Sequence, residues 1–255
     1  GQVVCAPLDI GRRFGIFGND LNPFYHLGAL GFLFFWVIAI SGAYLYGFYR
    51  TGIELSYPSV EYLTKDQWYF GGIMRSLHRY ASDALVLVMV LHLLREFILG
   101  RYRGARWFAW VTGVLLIWLI YASGINGYWM PWDKLAQYSV VATMEWFDWL
   151  PIFGQPLSQS FVTQEVLNDR FFSLISFAHV TIPVLILFLL WVHIMRISYP
   201  VVNPRRGLAL GMLLAMLVLA LIKPALSQGP ADMGIEPRNI GIDWFYLFIF
   251  PLLDS

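Results

Sequence analysis

The sequence predicts an all-α, polytopic membrane protein, and both its composition and its hydropathy pattern support this prediction. Hydrophobic residues make up 58% of the 255 residues and charged residues only 13%, whereas soluble domains carry about 25% charged residues. Apolar stretches long enough to cross a hydrocarbon layer of about 30 Å recur along the chain. This composition excludes a soluble globular enzyme, and an aromatic content of 18% excludes intrinsic disorder.

Five stretches are predicted to span the membrane as helices, at 25–48, 73–99, 107–127, 172–199 and 207–226. A last apolar run at 242–253 is too short to span and predicts a sixth helix that has just begun. The segment 131–170 is rich in tryptophan and phenylalanine, which favours short helices in the membrane interface. Those helices would form either a simple interfacial lid or a roof over a lipid-soluble substrate.

Basic connections predict the orientation, because short loops rich in Lys and Arg stay on the cytoplasmic side. The connection after the second span holds Arg95, Arg101, Arg103 and Arg106, and the one after the fourth span holds Arg196, Arg205 and Arg206. The segment 131–170 is mainly acidic. We therefore expect a cytoplasmic N-terminus in a prokaryotic-type inner membrane, with the second and fourth spans running in the same direction, from outside to inside.

The net charge and the cysteine content limit the ligands. A formal net charge of +1 provides no general basic field, so nucleic acid is not an expected partner. The single cysteine, Cys5, allows neither a disulfide nor a cysteine-based metal site within the chain. Any bound metal must therefore use the five histidines.

Four of these histidines form two pairs with one spacing. His78 and His92 lie 14 residues apart on the second span, as do His179 and His193 on the fourth. An offset of 14 residues places both members on one side of a helix, about 21 Å apart along it. On parallel helices His78 would face His179 and His92 would face His193, which suits two six-coordinate haem irons. A lone histidine could equally be a core residue or a proton relay, and zinc cannot be shared at this spacing.

Glycines on the other two helices repeat the same interval. Gly28 and Gly42 lie 14 residues apart on the first span, and Gly113 and Gly127 on the third. Because glycine permits the closest backbone approach, we expect these positions to leave room for haem at two levels. A single pair could reflect ordinary small-residue helix packing, but four helices with one period favour the haem interpretation.

Three arginines are candidates for binding the anionic haem propionates. Arg75 and Arg79 flank His78, and Arg95 follows His92 by one turn. Arg95 could also be an ordinary cytoplasmic anchor, whereas Arg79 lies within the apolar span, where a charge is costly.

These residues resemble cytochrome b of the quinol-oxidising Rieske/cytochrome b complexes. The stretch RSLHRYASDALVLVMVLHLLREFILGRYRGARWFAWVTGV is similar to helices of the photosynthetic short form, and INGYWMPWDK is similar to that family's GYxLPWxQ motif. LPIFGQPL and NDRFFSLISFAHVTIP are similar to the segments that line its outer quinol site and enter its fourth helix. The resemblance covers residues 24–250.

The resemblance implies a four-helix dihaem core at residues 1–200, followed at 201–255 by the start of the family's C-terminal region with a fifth helix and the beginning of a sixth. It implies two haems b with bis-histidine ligation and an outer quinol site under the roof. The outer-site residues that it implies are Tyr128, Asp243, Pro151, Ile152, Phe153 and Gly154. An inner quinone site is implied near Arg196 and the start of the first helix, with His26. The implied partners are quinone, a Rieske iron–sulfur protein or c-type cytochromes, a subunit supplying the remaining C-terminal helices, and a second copy in a dimeric complex.

The sequence departs from the photosynthetic form in the spacing of His179 and His193, which is one residue shorter and follows the respiratory form. It also departs from the family's pattern at two sites that bear on the cofactors and on quinol oxidation. The photosynthetic form binds a third haem covalently through a cysteine where FYHLGAL places His26, so a third covalent haem is not expected here. The outer-site signature Pro-Glu-Trp-Tyr is replaced by Ile242-Asp243-Trp244-Phe245. A carboxylate is kept, but the proline and the tyrosine are lost.

Three functions remain open from the sequence. The first is an electron-transfer subunit of a quinol oxidoreductase complex, moving electrons between quinone sites on opposite faces. The second is a dihaem membrane anchor with one quinone site, serving a dehydrogenase or multihaem partner. The third is a transporter or a haem-free scaffold in which the buried histidines are relays.

Overall fold

A computed structural model describes residues 21–151, 156–163 and 165–253 of the chain. The helices are α1 (Leu27–Tyr46), α2 (Ser56–Lys65), α3 (Ile73–Ile98), α4 (Trp107–Trp129), α5 (Lys134–Asp148), α6 (Leu157–Phe161), α7 (Asp169–Met195), α8 (Arg206–Ile222) and α9 (Phe250–Leu253). Within these described ranges the only β pairing is one isolated antiparallel bridge between Asp133 and Pro230. The all-α prediction is therefore confirmed.

The five predicted spans are found as α1, α3, α4, α7 and α8. By length and apolar composition, α1, α7 and the stretch Gly104–Trp129 could each cross a membrane. Helix α8 is apolar but has only 17 residues, and α3 is long enough but includes several charged side chains. The predicted short helices between the third and fourth spans are α5 and α6, whereas α2 and a π-helical turn at Trp68–Gly72 were not predicted.

The chain divides into two compact units. The first comprises the described residues up to Gly42 together with Ser76–Ile120 and Val184–Pro224, and the second comprises Ala43–Arg75, Tyr121–Pro183 and the described residues from Ala225 onward. In the first unit the N-terminal parts of α1 and α4 meet the C-terminal parts of α3 and α7.

An aromatic core holds the second unit together. The end of α4, the helix α5 and the start of α7 meet in it, and its fully buried ring is Phe172. Trp132 packs edge-on against Phe172 with ring centroids 4.9 Å apart. Asp133 caps α5, because its side chain accepts the N–H of Ala136 at 2.9 Å.

The segment after α8 is fastened to α5 by buried polar groups in the same unit. The second oxygen of Asp133 accepts the N–H of Gln228 at 2.9 Å. The amide of Gln137 accepts the N–H of Asp232 and donates to the carbonyls of Asp232 and Ile235. Since Asp133 and Gln137 are 6% and 4% exposed, these bonds are shielded from water and hold the segment in place.

The last apolar run corrects one prediction. A helix was expected to begin at residue 242, but helix α9 begins only at Phe250. The reason is local, because one carboxylate oxygen of Asp243 accepts the N–H groups of Phe245 at 2.7 Å and Tyr246 at 2.9 Å. A short polar side chain that bonds nearby backbone favours a turn over a continuous helix. This turn buries Tyr246, which is 2% exposed.

Candidate cofactor sites

A cavity of about 370 Å³ lies inside the first unit, a volume within the range of small-molecule and cofactor sites. Four helices contribute to its lining, and each contributes one of the residues singled out by the 14-residue period. These residues are Gly28 of α1, His92 of α3, Gly113 of α4 and His193 of α7. The structure thus brings together the two histidines that were expected to face each other at the inner level.

Each glycine in this cavity lies against an imidazole ring. A Cβ atom added to Gly28 would lie 3.5 Å from Cε1 of His92, and one added to Gly113 would lie 3.3 Å from Cε1 of His193. The space was predicted to accommodate a haem plate. In the structure it accommodates the histidine rings themselves, packed close to the backbone of the neighbouring helix.

The other two glycines make the same kind of contact, each within its own unit. In the first unit a Cβ at Gly42 would lie 2.9 Å from Cε1 of His78. In the second unit a Cβ at Gly127 would lie 2.8 Å from Cε1 of His179. Glycines of α1 therefore face histidines of α3, and glycines of α4 face histidines of α7, at every position of the 14-residue period.

Backbone carbonyls select the tautomer of two histidines. Nδ1 of His78 lies 3.0 Å from the carbonyl oxygen of Ile38, and Nδ1 of His179 lies 3.1 Å from that of Ser123. A carbonyl oxygen can only accept, so Nδ1 must carry the proton and donate it. Nε2 then keeps its lone pair, which is the form that ligates a metal.

Thr112 acts in the same way on a third histidine. Its hydroxyl lies 3.0 Å from the carbonyl oxygen of Phe108, to which it donates, and 3.0 Å from Nδ1 of His193. With its own hydrogen committed to a carbonyl, the hydroxyl oxygen accepts from His193 Nδ1 and leaves Nε2 unprotonated. Nδ1 of His92 differs, since it is buried and has no hydrogen-bond partner.

The lining of the inner cavity fits a haem. The three buried polar atoms in it that lack partners can all act as donors: His92 Nδ1, Arg95 Nε and Trp110 Nε1. Buried donors of this kind need acceptors, and the propionates of a haem would supply them for Arg95 Nε and Trp110 Nε1. Among the described residues no group of three or more His, Cys, Asp or Glu could hold a metal ion, whereas two imidazoles are enough for an iron that brings its own macrocycle.

The three candidate arginines have different surroundings. Arg95 lines the inner cavity and lies 3.7 Å from Glu96. Arg75, in the second unit, donates to the hydroxyls of Thr64 and Ser227. Arg79, in the first unit, is paired with Asp83 of its own helix at 3.2 Å.

The two expected inner quinone residues, His26 and Arg196, have different surroundings. His26 lines the inner cavity together with Tyr25. Arg196 is not among the lining residues, and its guanidinium carbon lies 5.0 Å from the centroid of the Phe108 ring.

The expected outer-site residues belong to the second unit where they are described. Tyr128 lies beside Tyr246, with ring centroids 6.0 Å apart. Asp243 is 8% exposed, so it is not a solvated loop acid. Pro151 is exposed, and the expected residues Ile152, Phe153 and Gly154 lie outside the described residues.

Sequence reasoning missed the groups that orient the imidazoles. A local signal was present, because Ser41 directly precedes Gly42 and Thr112 directly precedes Gly113. The hydroxyl of Ser41 lies 3.2 Å from Nδ1 of His78, as that of Thr112 does at 3.0 Å from His193. A hydroxyl residue beside a period glycine thus points to the histidine that it contacts.

Comparisons with known proteins identify the family and the fold of the chain. Residues 16–200 match the profile of the family described as Cytochrome b/b6/petB. The fold is similar to a solved structure described as hyperthermophilic respiratory Complex III, with a TM-score of 0.75 and 17% sequence identity. That similarity covers 98% of this chain and 76% of the other chain, and at this identity it shows a shared fold.

Proposed function

The chain belongs to the cytochrome b/b6/petB family, and from this premise we propose that it passes electrons across the membrane between two haems b in a quinol-oxidising complex. Membership of the family makes it an integral membrane electron-transfer protein that binds haem b. The proposal adds the number of haems, their ligands and the substrate. Haem supplies one-electron redox chemistry when bound, and the chain supplies its position and surroundings.

The observation that supports two haems most directly is the arrangement of the four period histidines. His92 and His193 line one cavity, and we assign them to an inner haem. His78 and His179 make the same glycine contact and donate through Nδ1 to a carbonyl, and we assign them to an outer haem. Residues 1–200 would then form the dihaem bundle, and 201–255 would begin the C-terminal region.

Quinol oxidation at the outer side releases protons, and the second unit offers a carboxylate for this purpose. Asp243 is buried near the turn that carries Tyr246, and a positioned carboxylate can accept a proton from a bound hydroxyl. We assign Tyr128 to the same outer site, and His26 of the inner cavity to a quinone on the cytoplasmic side. A Rieske protein or a c-type cytochrome would accept the electrons, within a dimeric complex in a prokaryotic inner membrane.

One observation favours the alternative of a dihaem anchor with a single quinone site. The Asp243 carboxylate already accepts two backbone N–H groups, so it has a structural role in holding its own turn. If this structural role is its whole role, quinone chemistry would be confined to the inner side.

Single histidine replacements in the purified complex test the assignment. His92→Ala or His193→Ala should remove one haem, and His78→Ala or His179→Ala should remove the other, as judged by reduced-minus-oxidised spectra and haem content. His26→Ala is the matched control and should keep both haems. A variant that loses both haems while still folded, or a parent protein without a bis-imidazole spectrum, would contradict the assignment.

A further inference from the structure

Helix α3 carries a paired acid and base inside the bundle, between its two histidines. Nε of Arg79 donates to the carboxylate of Asp83, at 3.3 Å from one oxygen and 3.2 Å from the other. The Asp83 side chain is 11% exposed and that of Arg79 is 34% exposed. Ionised side chains within an apolar span are costly unless they are paired, and they mark functional positions by default.

The position of the pair bears on the site at His78. Asp83 follows His78 by five residues, which places it about 7.5 Å further along the helix and about 140° around it. The ion pair therefore draws the Arg79 guanidinium toward the next turn, on a different side of α3 from the imidazole. Sequence reasoning assigned this guanidinium to a haem propionate, but in the structure a carboxylate of its own helix compensates its charge.

We propose that Asp83 is the counter-ion of Arg79 and that the balance of these two charges sets the reduction potential of the haem that His78 ligates. The inference rests on the proposed function, because it requires a haem at His78. Asp83 is a positioning residue here, acting through Arg79 and through its own charge.

The expected size follows from electrostatics. Reduction of a haem adds one electron, so a nearby negative charge opposes it and a positive charge favours it. A unit charge at ~13 Å in a medium of effective dielectric constant ~20 changes the ratio of reduced to oxidised haem by about tenfold, which is ~59 mV for one electron. Along the helix Asp83 lies about 7.5 Å from His78 but about 13.5 Å from His92, so the haem at His92 should shift less.

Redox titration of the purified complex, followed by the absorbance of each haem, tests the proposal with three variants. Asp83→Asn should raise the potential of the His78 haem, because Arg79 loses its counter-ion. At a fixed applied potential the ratio of reduced to oxidised haem should rise about tenfold. Arg79→Gln should lower it by a similar factor. The double variant should return close to the parent value, since it carries neither charge. Asp66→Asn, an exposed acid outside the spans, is the matched control and should change nothing.

The signs distinguish this role from simple structural support. If the pair only stabilises the helix, the potential of the His78 haem would shift in the same direction in both single variants, and that result would overturn the proposal. Asp83→Glu keeps the charge and should keep the potential, which separates charge from folding if Asp83→Asn assembles poorly. If the parent protein shows bis-imidazole haems and the single variants do not shift, this inference fails alone. If the parent lacks such haems, the proposed function fails with it.

Discussion

Replacing Gly127 with alanine should weaken the binding of the haem assigned to His179. The new Cβ would lie 2.8 Å from Cε1 and 3.3 Å from Nδ1 of that ring, whereas carbon atoms pack favourably at about 3.5–4.0 Å. The imidazole must therefore move by about 0.7 Å, away from a carbonyl that it now meets at 3.1 Å. Overpacking of this kind costs about 1–3 kcal/mol, which corresponds to roughly 5- to 150-fold weaker binding.

The other period glycines provide a graded series for the same assay. Gly42→Ala places its Cβ 2.9 Å from the ring of His78 and should be nearly as damaging, while the 3.3 Å contact at Gly113 predicts an intermediate loss. Gly28→Ala meets its histidine at an ordinary 3.5 Å and should be tolerated. Gly211→Ala is the matched control, because nothing lies within 4 Å of a Cβ there.

Haem content per protein and reduced-minus-oxidised spectra of the purified variants measure the series. The loss should follow the contact distances, and each variant should affect only one haem. Two results would refute the idea that glycine is needed at these positions to avoid a clash between Cβ and the imidazole. One is an equal loss of haem in Gly28→Ala and Gly127→Ala, and the other is full haem content in Gly127→Ala.

Three further predictions concern polar groups. Thr112→Val removes the hydroxyl acceptor for His193 Nδ1–H and should weaken the inner haem by up to about 10- to 100-fold, measured as haem content, with the outer haem unchanged. Asp243→Asn keeps an oxygen for its two N–H donors, so it should fold normally but slow outer-site quinol oxidation; unchanged turnover would favour the single-site anchor. The Ser158 hydroxyl and nearby backbone N–H groups lower the pKa of Asp148. The ionised Asp148 carboxylate therefore stabilises the folded state at neutral pH, and this stabilisation is lost as pH falls below the ordinary aspartate range. The difference in thermal stability between the parent and Asp148→Asn should therefore shrink in acid.

Features with a local period were predictable from the sequence. Apolar length located the five spans within a few residues, since a helix must satisfy its own backbone in lipid. The 14-residue interval found the histidines and the glycines that the structure places in contact. Both patterns depend only on the regular geometry of a helix, so they can be recognised without knowledge of the tertiary structure.

Features that depend on distant segments were not predictable in the same way. The expected helix at 242 fails because Asp243 bonds its own turn and Tyr246 packs against Tyr121 of α4. The hydrogen bonds that fasten the segment after α8 to α5 join Gln137 to Asp232 and Ile235, which lie 95 and 98 positions later in the chain. Nothing in the local pattern identifies such partners, because any of several buried backbone groups could satisfy one amide.

The four histidine positions are not equivalent, and the sequence beside each glycine explains part of the difference. Gly42 and Gly113 follow hydroxyl residues that contact the imidazole, whereas Gly28 follows Leu27. His92, which faces Gly28, is also the histidine with no partner at Nδ1 and with the longest glycine contact, 3.5 Å. A ring that lacks both a hydrogen bond and a close backbone wall is less restrained in orientation than the other three. If the assignment of the haems holds, His92 is therefore the ligand most easily displaced, on the side of the inner cavity that His26 also lines.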